Sequence, residues 1–539
     1  MTALLTANLP LLAGAPNGIK KLRELILELA VRGKLVPQDP NDEPAIELLK
    51  RIAEEKARLV AEGKIRKQKP LTWINEEDKP FHVPSGWEWT RLGELGLVGS
   101  SSRVHQKDWQ TSGVPFYRAR EIVRLSKDGF VANELFISEE LYQELSTGES
   151  VPKAGDIMLT GVGTIGVPYC VQKTDRFYFK DASVLIFKNH VADSSSYLLK
   201  YFISPLWVNT IHAESMGTTV HTLTIARANE TLCPLPPLAE QHRILAKVDE
   251  LMALCDQLEA QQSDAESTHA QLVQALLDSL TQASDATDFA INWQRLAEHF
   301  HTLFTTESSI DALKQTLLQL AVMGKLVPQR NEGTRQDHLP IGWSTKTIKD
   351  FCTVQGGIQK TPLRQPISQH FPYLRVANVQ RGRIDIAQLE RYELTLDELE
   401  KWRLDKGDLL IVEGNGSEKE IGRCAIWQGE VADCVFQNHL MRVRPTLAQE
   451  VEYLALYLNS PVGMAHMKRL AITTSGLFNL SVGKIRSIPI DLPPIGEQQH
   501  IVAKVDQLMA LCDQLKDSLT RSRQINEQLA NTLVEQATN

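Results

Sequence analysis

Leu235–Leu258 reads LPPLAEQHRILAKVDELMALCDQL, and Leu492–Leu515 reads LPPIGEQQHIVAKVDQLMALCDQL; 18 of these 24 aligned positions are identical. A second pair frames the first. Ile19–Asp39 is IKKLRELILELAVRGKLVPQD and Ile310–Arg330 is IDALKQTLLQLAVMGKLVPQR, with 12 of 21 positions identical. The order along the chain is AVxGKLVPQ helix, long segment, LPPxxEQ helix, and then the same three again. An internal duplication of this kind decides the architecture before any single element does.

The LPPxxEQ helices carry heptads. Ile244, Val248, Leu251, Cys255 and Leu258 alternate steps of four and three, as do Ile501, Val505, Leu508, Cys512, Leu515 and Leu519. Such spacing makes an apolar seam for a partner helix. The AVxGKLVPQ helices supply matching seams at Ile19, Leu22, Ile26 and Leu29, and at Ile310, Leu313, Leu317 and Leu320. Gly33 and Gly324 stand where a left-handed C-terminal cap is expected, and Pro37 and Pro328 bar continuation. The seams predict antiparallel pairs. The first LPPxxEQ helix returns through Ser284–Asp288 into the middle helix, and the C-terminal one pairs with the N-terminal helix, so that the chain ends meet.

The long segments correspond more faintly. Pro84, Gly86 and Trp87 match Pro340, Gly342 and Trp343; Pro115 and Arg118 match Pro372 and Arg375; Gly155-Asp156 matches Gly407-Asp408, and Ser204-Pro205 matches Ser460-Pro461. Short β-rich runs at Ile157–Leu159, Val184–Phe187 and Leu409–Val412 alternate with turns and with short helices such as Glu139–Leu145 and Val451–Leu458. Each segment reads as an α/β globule of roughly 150 residues. The expected fold is therefore α/β plus long α-helices: two α/β domains joined by antiparallel coiled-coil helices in a pseudo-twofold, circular repeat. Its boundaries fall at 1–83 (N-terminal helical region and linker), 84–237 (first domain), 238–338 (central helical region), 339–494 (second domain) and 495–539 (C-terminal helical region). The charged stretch 40–80 has no assigned role.

Composition narrows the class. The 539 residues are 42% hydrophobic and 23% charged, in the range of a soluble protein with real cores. No apolar run approaches the roughly 18 residues that span a bilayer, and Met1–Gly18 lacks the basic flank of a signal peptide. Seven scattered cysteines without a Cys-x-x-Cys pair argue against a disulfide framework or a zinc site and for a reducing cytoplasm. The net charge of −8 is concentrated in 238–335, with 7 Lys+Arg against 14 Asp+Glu. The globules are nearly neutral, 12 against 13 over 84–188 and 15 against 14 over 340–445, which leaves room for local basic patches.

The doubled LPPxxEQxxI start at Leu235–Ile244 and Leu492–Ile501, the Pro-x-Gly-Trp entry at Pro84–Trp87 and Pro340–Trp343, and Gly-Asp before an apolar strand at Gly155 and Gly407 resemble the specificity subunits of type I restriction–modification systems. The resemblance covers nearly the whole chain. It implies two target-recognition domains, each reading one half of a split, asymmetric double-stranded DNA site. It also implies two modification subunits docked on the helices, which flip and methylate an adenine in each half with S-adenosylmethionine. Two restriction subunits added to these make an ATP- and magnesium-dependent translocating nuclease. No cofactor or metal is expected in this chain, and no membrane.

The chemistry of the residues agrees with a non-catalytic role. Both Pro-Pro pairs follow Leu and precede Leu238 or Ile495, unlike the aromatic-bearing Asn/Asp-Pro-Pro motif that holds a flipped base. A phosphate loop of the Gly-x4-Gly-Lys-Ser/Thr type is missing. Gly161–Gly166 imitates a dinucleotide motif without a βαβ unit, and Gly414–Ser417 takes its place in the second copy, so both read as shared loops. His299 and His301 are too close for a helical ligand pair, and Cys255 and Cys512 read as small buried hydrophobes. Side chains that pair with base edges and phosphates nominate Arg103, His105, Lys107, Arg118, Arg120, Lys180, Thr218 and His221 in the first copy. In the second they nominate Gln359, Lys360, Arg375, Asn378, Asn415, Lys419, Asn438, His439 and Ser475. Recurrence of Arg118 and Arg375 at matched positions suits phosphate contact or domain structure. The seam residues Ile244, Val248, Leu251, Cys255, Leu258, Ile501, Val505, Leu508, Cys512 and Leu515 are nominated for coiled-coil packing and subunit docking. The alternatives are a self-contained restriction–methylation enzyme with an unrecognised active site, or a helical scaffold without DNA function. Modularity gives the first test. Replacing residues 84–234 with the equivalent domain of a relative changes one half of the methylated motif, whereas a change in both halves or neither refutes two independent readers.

Overall fold

In the computed structural model each LPP turn ends a strand and opens a 44-residue helix. The described residues are 12–65, 67–146, 151–189, 195–213, 221–328, 339–359, 361–414, 420–471 and 479–538. Four helices carry the repeat: α1 Gly18–Val31, α2 Leu238–Thr281, α3 Glu307–Val322 and α4 Ile495–Thr538. The chain forms two units, Met1–Ser263 with Arg523–Asn539, and Asp264–Ser522. Each unit therefore holds the head of one long helix and the tail of the other.

The reason lies in α1, which has two apolar stripes. Ile19, Leu22 and Ile26 pack with Ile244, Val248, Leu251, Cys255 and Leu258 on the head of α2, and Arg23 bonds Asp256 at 2.6 Å and Glu259 at 2.7 Å. Leu25 and Leu29 meet Val534 and Ala537 on the tail of α4, Leu12 and Ala15 meet Ala530, and Lys21 pairs with Glu527 at 3.2 Å. The chain ends thus meet within the first unit. In the second, Ile310, Leu313, Leu317 and Leu320 of α3 pack with Leu508, Cys512 and Leu515 and with Val273, Leu277 and Leu280 from the tail of α2. Lys516 bonds Asp311 there at 2.9 Å. Ile501 and Val505 sit beneath the adjoining domain.

Two expectations need correction. The seam of α2 closes against α1 and that of α4 against α3, each within its own copy and not across copies; six of the ten seam residues are buried, and Leu251, Leu258, Leu508 and Leu515 are partly buried. The link after α2 is more than a return turn. Helices Ala286–Glu298 and Phe300–Leu303 intervene, and Leu296, Leu303 and Phe304 close the end of the α2–α3 cluster. The stretch 40–80 also acquires a place. Helix Ala45–Ala61 sets Ala45, Leu48 and Ile52 into the core around Trp87. The Lys56 amine, its pKa lowered by burial, donates to the Gly93 carbonyl at 2.7 Å.

The first domain carries β1 Glu88–Arg91, β2 Gly96–Gly99, β3 Val114–Tyr117, β4 Phe136–Ile137, β5 Ile157–Thr160, β6 Pro168–Cys170, β7 Tyr178–Phe179, β8 Val184–Asn189 and β9 Leu232–Leu235. Its sheets are ordered β2-β8-β5-β6 and β4-β3-β7, and the β1-β9 ribbon joins entry to exit. The second domain carries β10 Ser344–Thr347, β11 Cys352–Gly356, β12 His370–Leu374, β13 Val379–Gln380, β14 Arg383–Ile384, β15 Glu390–Glu393, β16 Leu409–Val412, β17 Cys424–Ile426, β18 Val435–Phe436, β19 Leu440–Pro445 and β20 Pro489–Leu492. The orders β11-β19-β16-β17, β15-β12-β18 and β10-β20 repeat the first domain strand for strand. The copies part after β3 and β12, where the first has helix Ala119–Asp128 and the second the β13-β14 hairpin.

The matched motifs are structural ties. Trp87 Nε1 donates to Glu240 at 2.9 Å and Trp343 Nε1 donates to Glu497 at 2.9 Å, so the Pro-x-Gly-Trp entry is locked to the LPPxxEQ exit. Gln241 and Gln498 donate to the Pro236 and Pro493 carbonyls at 3.0 and 2.9 Å, which holds the turn. Asp156 accepts from Lys188 at 3.1 Å, and Asp408 binds Arg444 through two bonds of 2.6 and 2.7 Å. Gly33 and Gly324 adopt φ of 68° and 69°; a side chain at Gly33 would meet Pro84 at 2.5 Å. Among the described residues no helix is long and apolar enough to cross a membrane.

Burial raises the Glu240 pKa against the opposing bonds from Trp87 and Gln38. A raised carboxylate pKa means that this group favours the fold at low pH and that the benefit is lost as pH rises. Glu240→Ala orphans a buried indole N–H and costs about 1–3 kcal/mol. Glu240→Gln keeps an acceptor and sheds the buried charge. Thermal melts should show the Gln variant gaining on the parent as pH rises from 4 to 7; a constant difference would refute the assignment.

Candidate nucleic-acid interface

Four loops converge at one end of each domain. In the first, Ser101 Oγ donates to the Phe179 carbonyl at 2.7 Å and Ala182 N to Ser100 Oγ at 3.2 Å, joining the β2–β3 loop to the β7–β8 loop. Gly161 N donates to the Ser183 carbonyl and Leu223 N to the Gly161 carbonyl, both at 2.8 Å. These bonds add the β5–β6 loop and the segment before helix Ile225–Glu230. In the second domain, Asn438 N donates to the Ile358 carbonyl at 2.9 Å, Glu413 N to the His439 carbonyl at 2.9 Å and Leu480 N to the Glu413 carbonyl at 2.6 Å. The same loops are joined in both domains; the two bonds at Gly161 recur as backbone bonds at Glu413, while the β2–β3 loop is tied through serine side chains in the first domain and its counterpart through backbone in the second. β5 and β6 form an antiparallel hairpin, so Gly161–Gly166 is a hairpin loop and not a dinucleotide cradle.

This end gathers many of the nominated residues. Arg103, His105 and Lys107 are exposed on the β2–β3 loop, where His105 N is held by Asp108 at 3.3 Å. Lys180 lies half-buried on the β7–β8 loop and His221 is exposed beside the β5–β6 loop, with Gly163 N donating to its carbonyl at 3.3 Å. Gln359 is exposed, Asn438 half-buried and His439 exposed on the corresponding loops of the second domain. Thr218, Lys360, Asn415, Lys419 and Ser475 lie outside the described residues.

Four further nominations are bonded within their own domain. Asn378 is only 4% exposed. Its amide donates to the Asp385 and Gln388 carbonyls at 2.8 and 3.0 Å and its oxygen accepts from Arg375 N at 2.8 Å, so it has no surface to offer DNA. Arg118 and Arg375 each start the segment after the central strand of their three-stranded sheet, capped alike by the residue three positions on. Arg118 bonds Glu121 at 2.8 Å, and Arg375 bonds Glu390 at 3.0 Å. Arg120 bonds Glu121 at 2.5 Å and also pairs with Glu134. Burial pushes the Glu121 pKa up, but its bonds to Arg118 and Arg120 prevail and hold it below the ordinary value. The arginines recur at matched positions, but their carboxylate partners do not: Glu121 follows Arg118 by three residues and Glu390 follows Arg375 by 15. Glu413, Ser183 and Ser100–Ser102 were not nominated: Glu413 is acidic, and the serines carry no motif that distinguishes them from other loop serines. The only sequence signal for Glu413 is its place directly after β16, where Gly161 follows β5.

The model of the type I restriction modification DNA specificity domain matches the chain twice, at residues 84–266 and 340–526. The EcoEI and EcoAI type I restriction enzyme specificity subunits of Escherichia coli are each 33% identical to it, over 97% of this chain and 94% of theirs. A solved chain from work on complex assembly and conformational transition of the type I R-M system superposes with TM-score 0.50 at 19% identity, covering 85% of this chain and 99% of that one.

The Glu121 cluster yields a test with a defined sign. A depressed carboxylate pKa stabilises the fold above the ordinary carboxylate range and loses that effect as pH falls through the folded pKa. Glu121→Gln should lower the melting temperature at pH 7, at a cost of about 1–3 kcal/mol. The gap from the parent should close toward pH 4, and a gap that widens in acid would show that the arginines do not stabilise the carboxylate.

Proposed function

Because the chain belongs to the family of type I restriction–modification DNA specificity subunits, we propose that its two α/β domains read the two halves of a bipartite, asymmetric DNA site. One observation carries this reading: the same four-loop end is built twice, on the same strand order, with different side chains. A single binding surface needs no duplication, and two identical readers would need no divergence. Loops on a rigid sheet scaffold are where recognition residues are normally placed. Backbone contacts hold register while base-edge contacts carry sequence. Arg103 and Lys107 supply positive charge in the first reader, and His221, Gln359, Asn438 and His439 supply adaptable hydrogen-bonding groups.

In this reading the chain performs no catalysis. S-adenosylmethionine, ATP and Mg2+ act on other subunits, two for modification and two for restriction, and the assembly works in the cytoplasm. The seams being used internally, docking falls to the outward faces of α2 and α4. Leu254 and Leu511 occupy the same position of the repeat and are 48% and 55% exposed. A matched pair of exposed leucines suits two copies of one partner, whereas Leu251 and Leu508 pack inward.

The test is co-expression with the modification subunit followed by long-read methylation mapping. A two-part motif with a methylated adenine in each half is expected. Methyl transfer by the purified chain alone would revive the self-contained enzyme, and a complex that binds DNA without sequence preference would refute the reading. Leu254→Asp with Leu511→Asp should abolish co-purification of the modification subunit while leaving the melting temperature of the isolated chain within a few degrees. Full stoichiometry in that double variant would place docking elsewhere.

A further inference from the structure

The loop ends of the two readers share a backbone frame and differ in what the frame carries. Gly161 N donates to the Ser183 carbonyl and accepts, through its own carbonyl, from Leu223 N. Glu413 does the same with His439 and Leu480. Gly161 thus corresponds to Glu413, and Ser183 to His439. The first pair has no ionisable side chain. In the second, His439 Nδ1 lies 3.0 Å from Glu413 Oε2, and Asn479 Nδ2 donates to the other carboxylate oxygen at 3.4 Å. The Glu413 side chain is 16% exposed and that of His439 is 55% exposed. The carboxylate is held in the loop frame, and the imidazole stands on it and faces outward.

Two physical points give this pair a meaning beyond loop packing. A carboxylate at a DNA-facing end repels phosphates, so its presence needs a compensating use. A ring nitrogen bonded to a carboxylate also fixes which nitrogen carries the proton. In the neutral imidazole, an Nδ1–H donated to Glu413 makes Nε2 an acceptor. An acceptor in the major groove selects the exocyclic amino group of adenine or cytosine and rejects the oxygens of guanine and thymine. Ser183 and Gly161 offer no equivalent, and Gly161 leaves the slot without a side chain.

We propose that His439, oriented by Glu413, reads an amino-bearing base in the half-site of the second reader, with Glu413 as its positioning residue. This assignment rests on the reading of the chain as a DNA-recognition subunit. It makes the 161/183 and 413/439 pairs one of the points where two copies of a common frame acquire different sequence preferences.

The experiment uses the assembled methyltransferase with His439→Ala, Glu413→Ala and the double variant, on duplexes substituted at each base pair of both half-sites. His439→Ala should relax discrimination at one base pair of one half-site by at least ~10-fold, with the other half-site and the melting temperature unchanged. Glu413→Ala should relax the same base pair. The double variant should be no more relaxed than His439→Ala, because the two act as one unit. His439→Ala alone should also weaken binding to every sequence, by leaving Glu413 facing phosphates, and the double variant should recover that loss. Uniform weakening in both His439→Ala and the double variant would make His439 a phosphate contact and overturn the proposal. An unchanged motif would reduce the pair to loop packing and overturn it equally. A parent complex without any two-part motif would refute the recognition reading itself, a result separable from either of these.

Discussion

Each α/β domain leaves its helical support and returns to it at one place, and a buried indole–carboxylate hydrogen bond closes that place. Trp87 with Glu240, and Trp343 with Glu497, join the first turn of the domain to the first turn of the long helix that follows. The bond is worth little as a gain over water but is expensive to leave unmade. It therefore acts as a constraint: the indole sits in the core only when the helix starts in register. The β1-β9 and β10-β20 ribbons, the LPP turn and the tyrosines that bond the strand just before it, Tyr197 to the Pro234 carbonyl and Tyr453 to the Asp491 carbonyl, all converge on that junction.

The long helices add a second constraint. α1 and α3 each present more apolar surface than one neighbour can cover, so each is sandwiched between the head of one long helix and the tail of the other. Neither half of the duplication completes its own support. The first unit requires residues after Arg523 and the second requires residues from Asp264. Each domain's support thus draws on both halves of the chain without asking the domains to resemble each other at their loop ends.

Freed from structural duty, the loop ends can diverge. The backbone bonds at Gly161 and Glu413 recur in both copies because unpaired backbone groups are costly wherever they are shielded from water, while the exposed side chains around them differ between the copies. The matched arginines illustrate the reverse case. Arg118 and Arg375 recur, and each is paired with a carboxylate of its own domain.

The duplication, the helical seams, the glycine caps and the α/β character of the domains were legible in the residues, because each depends on local periodicity or on a motif repeated in order. Comparing the copies with each other also exposed the structural motifs, although their partners were not visible: nothing in Pro-x-Gly-Trp names a glutamate about 150 residues away. The site was less legible. Exposed loop residues such as Arg103, Lys107 and His439 were nominated by chemical type, and that criterion admitted Asn378, which is buried, and passed over Glu413, which is acidic. Tertiary structure alone decided which helix each seam meets, that residues 40–80 brace the first domain, and that four loops distant in sequence share one end. The physical reason is the range of the interactions. Periodicity and capping act within a few residues, whereas burial, ion pairing and loop-to-loop hydrogen bonds depend on groups brought together only when the sheet order is set.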